Sequence, residues 1–380
     1  MSQLLQLHKS YIQHTWSKIE SKLTVTSRRI QDGMPFKTIE GVYDDWQDSM
    51  DWWTNTFWAG ILWHMYRETK EEIYLTYARS IEEKMDQVLH TYDKLHHDVG
   101  FMWLLSSVMN HELTGDEQAR QRGLLAANVL SARANIAGGY IRAWNGDNKA
   151  GWAIIDCMMN IPLLFWASEK SKDARFTHIG TMHADKVMRD FVRPDGSVHH
   201  IVIYDETNGE VLETPRGQGY EVGSSWSRGQ SWALYGFAQS YHWTGKQEYL
   251  DTAKRIAHYV MTCLPLHGYV PPCDYRQPAD SDLLDSSAGA ITACGLIEIA
   301  KAVPPAEKRV YLESAISILR NLDEKCAIWD HSNEGLLDYG TGAFHKGIYT
   351  RAEVSNGPMI YGDYYFVEAI CKLKTLMDEA

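Results

Sequence analysis

Two kinds of apolar segment alternate along this chain, and that alternation restricts its fold more than any other feature. The first kind is amphipathic. It opens after a short polar break and carries an aromatic residue with a small one four positions later: Tyr74/Ala78 after Thr69-Lys70, Phe176/Gly180 after Ser171-Lys172, Tyr249/Ala253 after Thr244-Gly245, and Tyr311/Ala315 after Pro304-Pro305. Thr114-Gly115-Asp116 opens a weaker copy, and an N-terminal helix near residues 3–23 is of the same mixed type. Apolar residues then recur at helical spacing, as in Tyr249, Ala253, Ile256 and Val260. The second kind is apolar nearly all round: FWAGILWHMY, VGFMWLLSSVM, IIDCMMNIPLLFWA, SWALYGFAQSYHW, SAGAITACGLIEIA and YYFVEAICKL. Helices apolar on every face are buried inside a larger structure. Six of each kind predict two concentric rings, an all-α (α/α)6 barrel or six-hairpin toroid, spanning residues 1–380 as a single domain. The long loop 191–227 alternates in β fashion around Asn208-Gly209, which predicts a short β-hairpin in a rim loop.

Composition removes several functions. The chain has 37 basic against 49 acidic side chains, a net charge of −12, which disfavours a nucleic-acid or anionic-membrane surface. Apolar runs stay short of the 18 residues or more of a membrane span. The first residues, MSQLLQLHKSYIQHTW, carry no apolar core of a signal peptide. The six cysteines are scattered without CxxC pairs, so they read as free thiols in a reducing cytoplasm rather than a zinc site. The expected partner is a small molecule, and the expected state a monomer or weak homo-oligomer. The chain also has 14 Trp, 21 Tyr and 9 Phe, which either fill a core or line a groove for flat ligand faces.

Polar and aromatic residues gather just before, or at the start of, the buried segments. Parallel inner helices would bring all those starts to one rim, where helix N-termini favour an anion. Asp156 sits among Ile154, Ile155, Cys157 and Met158, in the opening turn of the third buried segment. Desolvation there would raise its pKa and keep a proton available near neutral pH; the alternative is a helix cap or an acid paired with Arg. Asp98 is either a cap or the second carboxylate of a pair suited to glycosidic chemistry. Of His199 and His200 on the hairpin loop, one should point inward. Arg228 is either an anion clamp or an Arg tied to an acid or a helix end. Trp53, Phe57, Trp144, Trp226 and Trp232 would form stacking walls. His96, His97 and Asp98 lack the spacing of a metal motif, so no metal or other cofactor is expected. No nucleophile elbow supports a serine mechanism.

At these residues the sequence resembles glycoside hydrolase family 88, the unsaturated glucuronyl hydrolases. The resemblance runs from about residue 51 to 370 through DWWTNTFWAGILWHMY, HHDVGF, AGGYIRAW, IIDC-xxN-xPLL, RPDGSVHH, GQGY, W-x-RGQ-xW and YGDYYFVEAI. It implies cleavage of a 4,5-unsaturated uronic acid from the non-reducing end of lyase-made oligosaccharides, by acid-catalysed hydration of the C4=C5 enol ether. On that resemblance Asp156 matches the acid that protonates C4, and Asp98 the second essential carboxylate. His200, Gln218 and Arg228 match polar binding positions, the five aromatics match its walls, and His97 and His345 also fall on family positions.

The chain departs from the family pattern at Gly217-Gln218-Gly219, at Phe344-His345 and in TRAEVSNGPM, residues 350–359, where Arg351 or Lys346 would meet a sulfate or acidic subsite if either does. Three other readings stand beside this one. They are an unsaturated rhamnogalacturonyl hydrolase, a sugar epimerase using His200 and His345 on opposite walls, and an idle glycan-binding toroid.

Overall fold

Burial separates the two kinds of segment in the computed structural model, which describes residues 2–347 and 354–379. The amphipathic helices are α1 (Ser2–Ile30), α3 (Glu72–Lys84), α5 (Glu117–Ser131), α7 (Ala174–Asp190), α9 (Gln247–Cys263) and α11 (Pro305–Lys325). Each buries one stripe; in α9 that stripe is Tyr249, Leu250, Ala253, Ile256, Ala257 and Val260. The all-round apolar helices are α2 (Phe57–Thr69), α4 (99–114), α6 (Pro162–Ser171), α8 (Ser227–Thr244), α10 (Ser286–Ala302) and α12 (Ile360–Asp378). In α10 every residue from Ser286 to Ala300 is buried, which is possible only with neighbours on all sides. Those neighbours form a closed ring, α2 to α4 to α6 to α8 to α10 to α12 and back to α2. The outer helices back it in order, with α1 packed on α12 to join the two ends of the chain. The fold is the (α/α)6 barrel that the alternation predicts. Each large aliphatic side chain buried between the rings contributes about 1.5–3 kcal/mol.

The polar breaks are the physical ends of the inner helices. Lys70, Gly115, Lys172 and Gly245 each take the left-handed conformation, with φ of 62°, 75°, 61° and 68°. The N–H groups of Lys70, Gly115 and Gly245 turn back to Tyr66, His111 and Tyr241. That cap satisfies a terminal carbonyl and reverses the chain into the outer ring. Pro305 serves the next turn differently, opening α11 at a position that needs no N–H.

Three elements differ from expectation. Helix α1 runs on to Ile30, because nothing breaks it before Asp32-Gly33. Helix α4 is α-helical over Val99–Trp103, widens to a π-helix over Leu104–Val108, and resumes over Met109–Thr114. The third buried segment is not one helix: Trp152–Ile154 is a strand, Ile155–Met159 a 3-10 turn, and the helix starts only at Pro162. Pro162 lacks an N–H and so stands at a helix start, while the β-branched Ile154 pairs as a strand. The predicted hairpin is present as Ile201–Tyr204 and Val211–Glu213, and Trp152–Ile154 adds a third antiparallel strand with Ile154 opposite Ile201.

Candidate active site

Inner helices that each return through an outer partner all point the same way, so their N-terminal ends share one rim. A cavity of about 280 Å³ opens there, and Trp53, His97, Asp98, Trp144, Asp156, Gln218, Trp226, Arg228 and Trp232 all line it. Local pairing explains how the acids arrive. The Ile155 N–H donates to the His200 carbonyl at 3.0 Å, extending the strand pair by one residue and setting Asp156 beside His200. Nε2 of His200 lies 3.9 Å from Oδ1 of Asp156. Asp98 opens α4, yet its carboxylate makes no capping bond, which leaves it free for the cavity.

Asn160 ties the two acid-bearing turns together. Its Nδ2 donates to Oδ1 of Asp98 and to the carbonyl of Asp156, both at 3.2 Å, and its Oδ1 accepts the Phe101 N–H at 2.6 Å. The turns can approach this closely because residue 100 is glycine: a Cβ there would stand 2.4 Å from Cα of Asn160.

The electrostatics separate an acid from its neighbours. Burial, and then the charge of Asp98, push the Asp156 carboxyl up to about 8, with Arg228 pulling the other way. Burial also raises Asp98, opposed by His96, Asn160 and Arg133. His200 is held neutral, pushed down to about 3 by burial and then Arg228. Its Nδ1 accepts the Gln218 N–H at 2.9 Å, so the ring proton sits on Nε2, facing Asp156. His97 is likewise pushed down to about 3, chiefly by burial. Its Nδ1 can only donate to the Ala143 carbonyl at 2.9 Å, which leaves the Nε2 lone pair 3.2 Å from Oδ1 of Asp98. The cavity therefore offers a protonated carboxyl, a neutral N–H beside it and a second acid, between aromatic walls.

Four of the five predicted wall residues reach the lining. Phe57 does not; it stands behind Trp53, edge to face at 5.4 Å, because it belongs to the first turn of α2 and faces the ring axis. Arg228 lines the cavity but is no open clamp. Nη1 is held by Asp285 at 2.6 Å and the Thr341 carbonyl at 2.9 Å, and Nη2 by the Gly342 carbonyl at 2.7 Å. Its guanidinium also lies over Trp226 and Tyr361, so it offers charge rather than a free fork. Gln218 spends its side-chain amide on Gly342 at 2.7 Å. His200 is buried as the inward member of its pair, its ring tilted against Trp226 with centroids 4.2 Å apart. His345 is outside the cavity: its Nε2 donates to the Tyr220 carbonyl at 2.7 Å, in a shallow surface depression with Pro215 and Glu221. Lys346 is exposed, and Arg351 lies outside the described residues.

Sequence reasoning gathers Trp52, His96, Asp285 and Tyr361 at the starts of the buried segments without giving them a binding role, and does not single out Asn160 or Phe36. Phe36 and Asn160 act through loops that no periodicity marks. His96, His97 and Asp98 bring one ligand atom each to within 4.8 Å of one another, the one group of that kind among the described residues. These are the side chains that could hold a divalent ion.

Comparison with known proteins agrees with this geometry. The model of glycosyl hydrolase family 88 matches residues 26–303. The unsaturated glucuronyl hydrolase of Bacillus sp. (strain GL1) is 37% identical over 335 residues, 86% of this chain and 87% of that protein. An unsaturated chondroitin disaccharide hydrolase of Streptococcus pneumoniae is 32% identical, over 84% of this chain and 81% of its own. The crystal structure of the Bacillus sp. GL1 unsaturated glucuronyl hydrolase superposes with a TM-score of 0.89, at 32% identity, covering 96% of this chain and 97% of that one. A ring of paired helices, a rim cavity holding two acids and a family match over most of the length together place this chain in glycosyl hydrolase family 88, among the glycosidases.

Proposed function

We propose that this enzyme releases a 4,5-unsaturated uronic acid from the non-reducing end of oligosaccharides made by polysaccharide lyases. The observation that carries the reading is Asp156, still protonated near neutral pH, beside the Nε2–H of His200 and next to Asp98. An enol ether needs a proton at C4 before water will add at C5. Asp156 supplies that proton; the resulting carboxylate takes one from the attacking water, and the C5 hydroxyl product is a hemiketal. Ring opening breaks C5–O5 to form the C5 ketone and a hemiacetal at C1, which collapses to the aldehyde and releases the aglycone as an alcohol. Asp98, held by Asn160, raises the Asp156 carboxyl with its charge and so helps keep the proton available, and the N–H of His200 is placed to hold the reacting ring. The guanidinium of Arg228 biases the cavity toward the uronate carboxylate through its field. A cavity of about 280 Å³ with Trp walls suits one sugar ring, with the aglycone directed out of the rim. The names of the relatives point to the same substrate class.

Residues 1–380 act as a single catalytic domain in this reading, supported by the closed ring and the main core cluster that runs through it. All six cysteines are free, which suits the cytoplasm, and none of the described helices is long and apolar enough to cross a membrane. A monomer or weak homo-oligomer suffices, because the cavity is lined from one chain. An unsaturated rhamnogalacturonyl hydrolase differs only in the aglycone. The epimerase reading loses its second base, since His345 points away from the cavity.

A panel of unsaturated disaccharides tests the proposal. The expected outcome is loss of the double bond's ultraviolet absorbance for at least one member, undiminished by EDTA. Product interconversion with the double bond retained would indicate an epimerase, and activity abolished by EDTA would transfer the chemistry to a metal at His96, His97 and Asp98.

A further inference from the structure

A second cavity, of about 370 Å³, lies at the other end of the barrel. The order along the inner helices shows this: Trp53 and then His64 around α2, Arg228 and then Gln239 in α8, Tyr361 and then Glu368 in α12, the first of each pair lining the rim cavity and the second lining this one. Phe101 stands between them, 5.6 Å from the Trp53 ring and 5.2 Å from Trp232, in an aromatic layer across the axis. The proposed reaction uses nothing on the far side of that layer.

The far cavity contains polar groups that the protein leaves unanswered. His64 is only 4% exposed, and neither of its ring nitrogens has a hydrogen-bond partner. Burial first, then the charges of Arg67 and Lys372, keep it neutral, so it presents one donor and one acceptor on a single ring. Oε2 of Glu368 and Nη2 of Arg67 are also buried without partners. Gln239 offers its amide only to the thioether of Met159, at 3.9 Å. Buried polar atoms are normally satisfied by protein, ordered water or a ligand, and a cluster that the protein itself leaves open is suited to a hydrogen-bonding guest. The π-helical turn of α4 contributes Leu104 and Leu105 to the wall, and such turns are frequent at functional sites.

We propose that this second cavity binds a small neutral polyhydroxylated molecule, a monosaccharide or a cyclic polyol. The cations of the lining are already balanced by carboxylates, Lys372 by Glu298 at 2.6 Å and Glu368 at 3.7 Å, Lys301 by Glu298 at 2.9 Å and Arg67 by Glu68 at 3.1 Å; with Lys301 and Lys372 set against Glu298 and Glu368, no excess charge is left for an anion. What remains is an intermixed set: donors on Arg67 and Gln239, an acceptor on Glu368, and one of each on His64. A hydroxyl both donates and accepts, so a polyol answers every member. A zwitterion separates its donors and acceptors to opposite ends, which does not suit both nitrogens of one imidazole. The Tyr364 ring, 5.5 Å from His64, adds an aromatic face of the kind sugars lie against.

Isothermal titration with D-glucose, D-galactose, N-acetyl-D-glucosamine and myo-inositol tests this on the full chain. At least one should bind saturably to wild type and equally to Trp144→Ala, which alters the rim cavity. The same probe should bind tenfold or more weakly to Glu368→Gln and to His64→Leu. Circular dichroism verifies folding, and Glu368→Gln alone is decisive if His64→Leu does not fold. The proposal is overturned if no probe binds saturably, if binding is lost in Trp144→Ala but kept in Glu368→Gln, or if it survives in every variant. Saturable binding of glycine or L-serine with no sugar binding would also overturn it.

Discussion

At Gly217 the backbone is left-handed, with φ of +61°, and a Cβ there would stand 2.1 Å from Nδ1 of His200. That nitrogen accepts the Gln218 N–H and thereby fixes the proton on the side facing Asp156. Gly217→Ala should displace the imidazole and lower kcat/KM on an unsaturated disaccharide by about 10- to 100-fold, the equivalent of ~1.4–2.8 kcal/mol. Wild-type turnover in that variant would show that the orientation of His200 is immaterial. Asp156 carries a stability cost as well. Its folded pKa, about 8, lies above its ordinary value of 3.8, so the unfolded chain loses this proton first. Stability that is complete below about pH 4 is lost as pH rises toward 8, and stays lost above it. Asp156→Asn should therefore be more stable than wild type, by a margin that grows from pH 4 to 8 and then levels. With 18% of the side chain still exposed to solvent, about 1–3 kcal/mol is expected in urea melts. A margin independent of pH would contradict the shift. Asp156 was legible because its sequence neighbours are apolar, and apolar neighbours desolvate. Asn160 was not, because its bonds join two turns distant in sequence, and residue type says nothing of where His345 points.

Among the elements, the outer and inner helices were readable because each class has its own periodicity, and periodicity is a local property. The strand Trp152–Ile154 was not, since its partner lies some fifty residues on and a short apolar run serves strand and helix equally. The π turn in α4 leaves no compositional mark either. The polar breaks carry their information in conformation: Lys172 holds a left-handed φ of 61° that glycine accepts without steric cost. Lys172→Gly should raise stability by about 0.5–1 kcal/mol, read as a higher urea midpoint at unchanged slope. A lower midpoint would mean that the lysine side chain outweighs its backbone strain.

For the whole molecule, the alternation of segments does more than make a ring. It sets every inner helix N-terminus on one rim and every C-terminus on the other, and an aromatic layer closes the axis between two cavities. The many Trp side chains divide accordingly: Trp58, Trp63, Trp103 and Trp166 are core, while Trp53, Trp144 and Trp226 line the rim. The net charge of −12 suits a small uronide met by one local cation rather than a long polyanion met by a basic track. What the ring finally positions is one protonated carboxyl, and the proposed reaction depends on it. The direct test is the rate at which an unsaturated uronide disaccharide loses its ultraviolet absorbance, followed from pH 5 to 10 in wild type and in Asp156→Asn. Wild type should hold a plateau through neutrality and fall tenfold per pH unit above about 8, as Asp156 gives up its proton. The variant, folded by circular dichroism, should be slower by about 100-fold or more at every pH below that. Turnover by Asp156→Asn at the wild-type rate, or wild-type activity that climbs through pH 8, would contradict it.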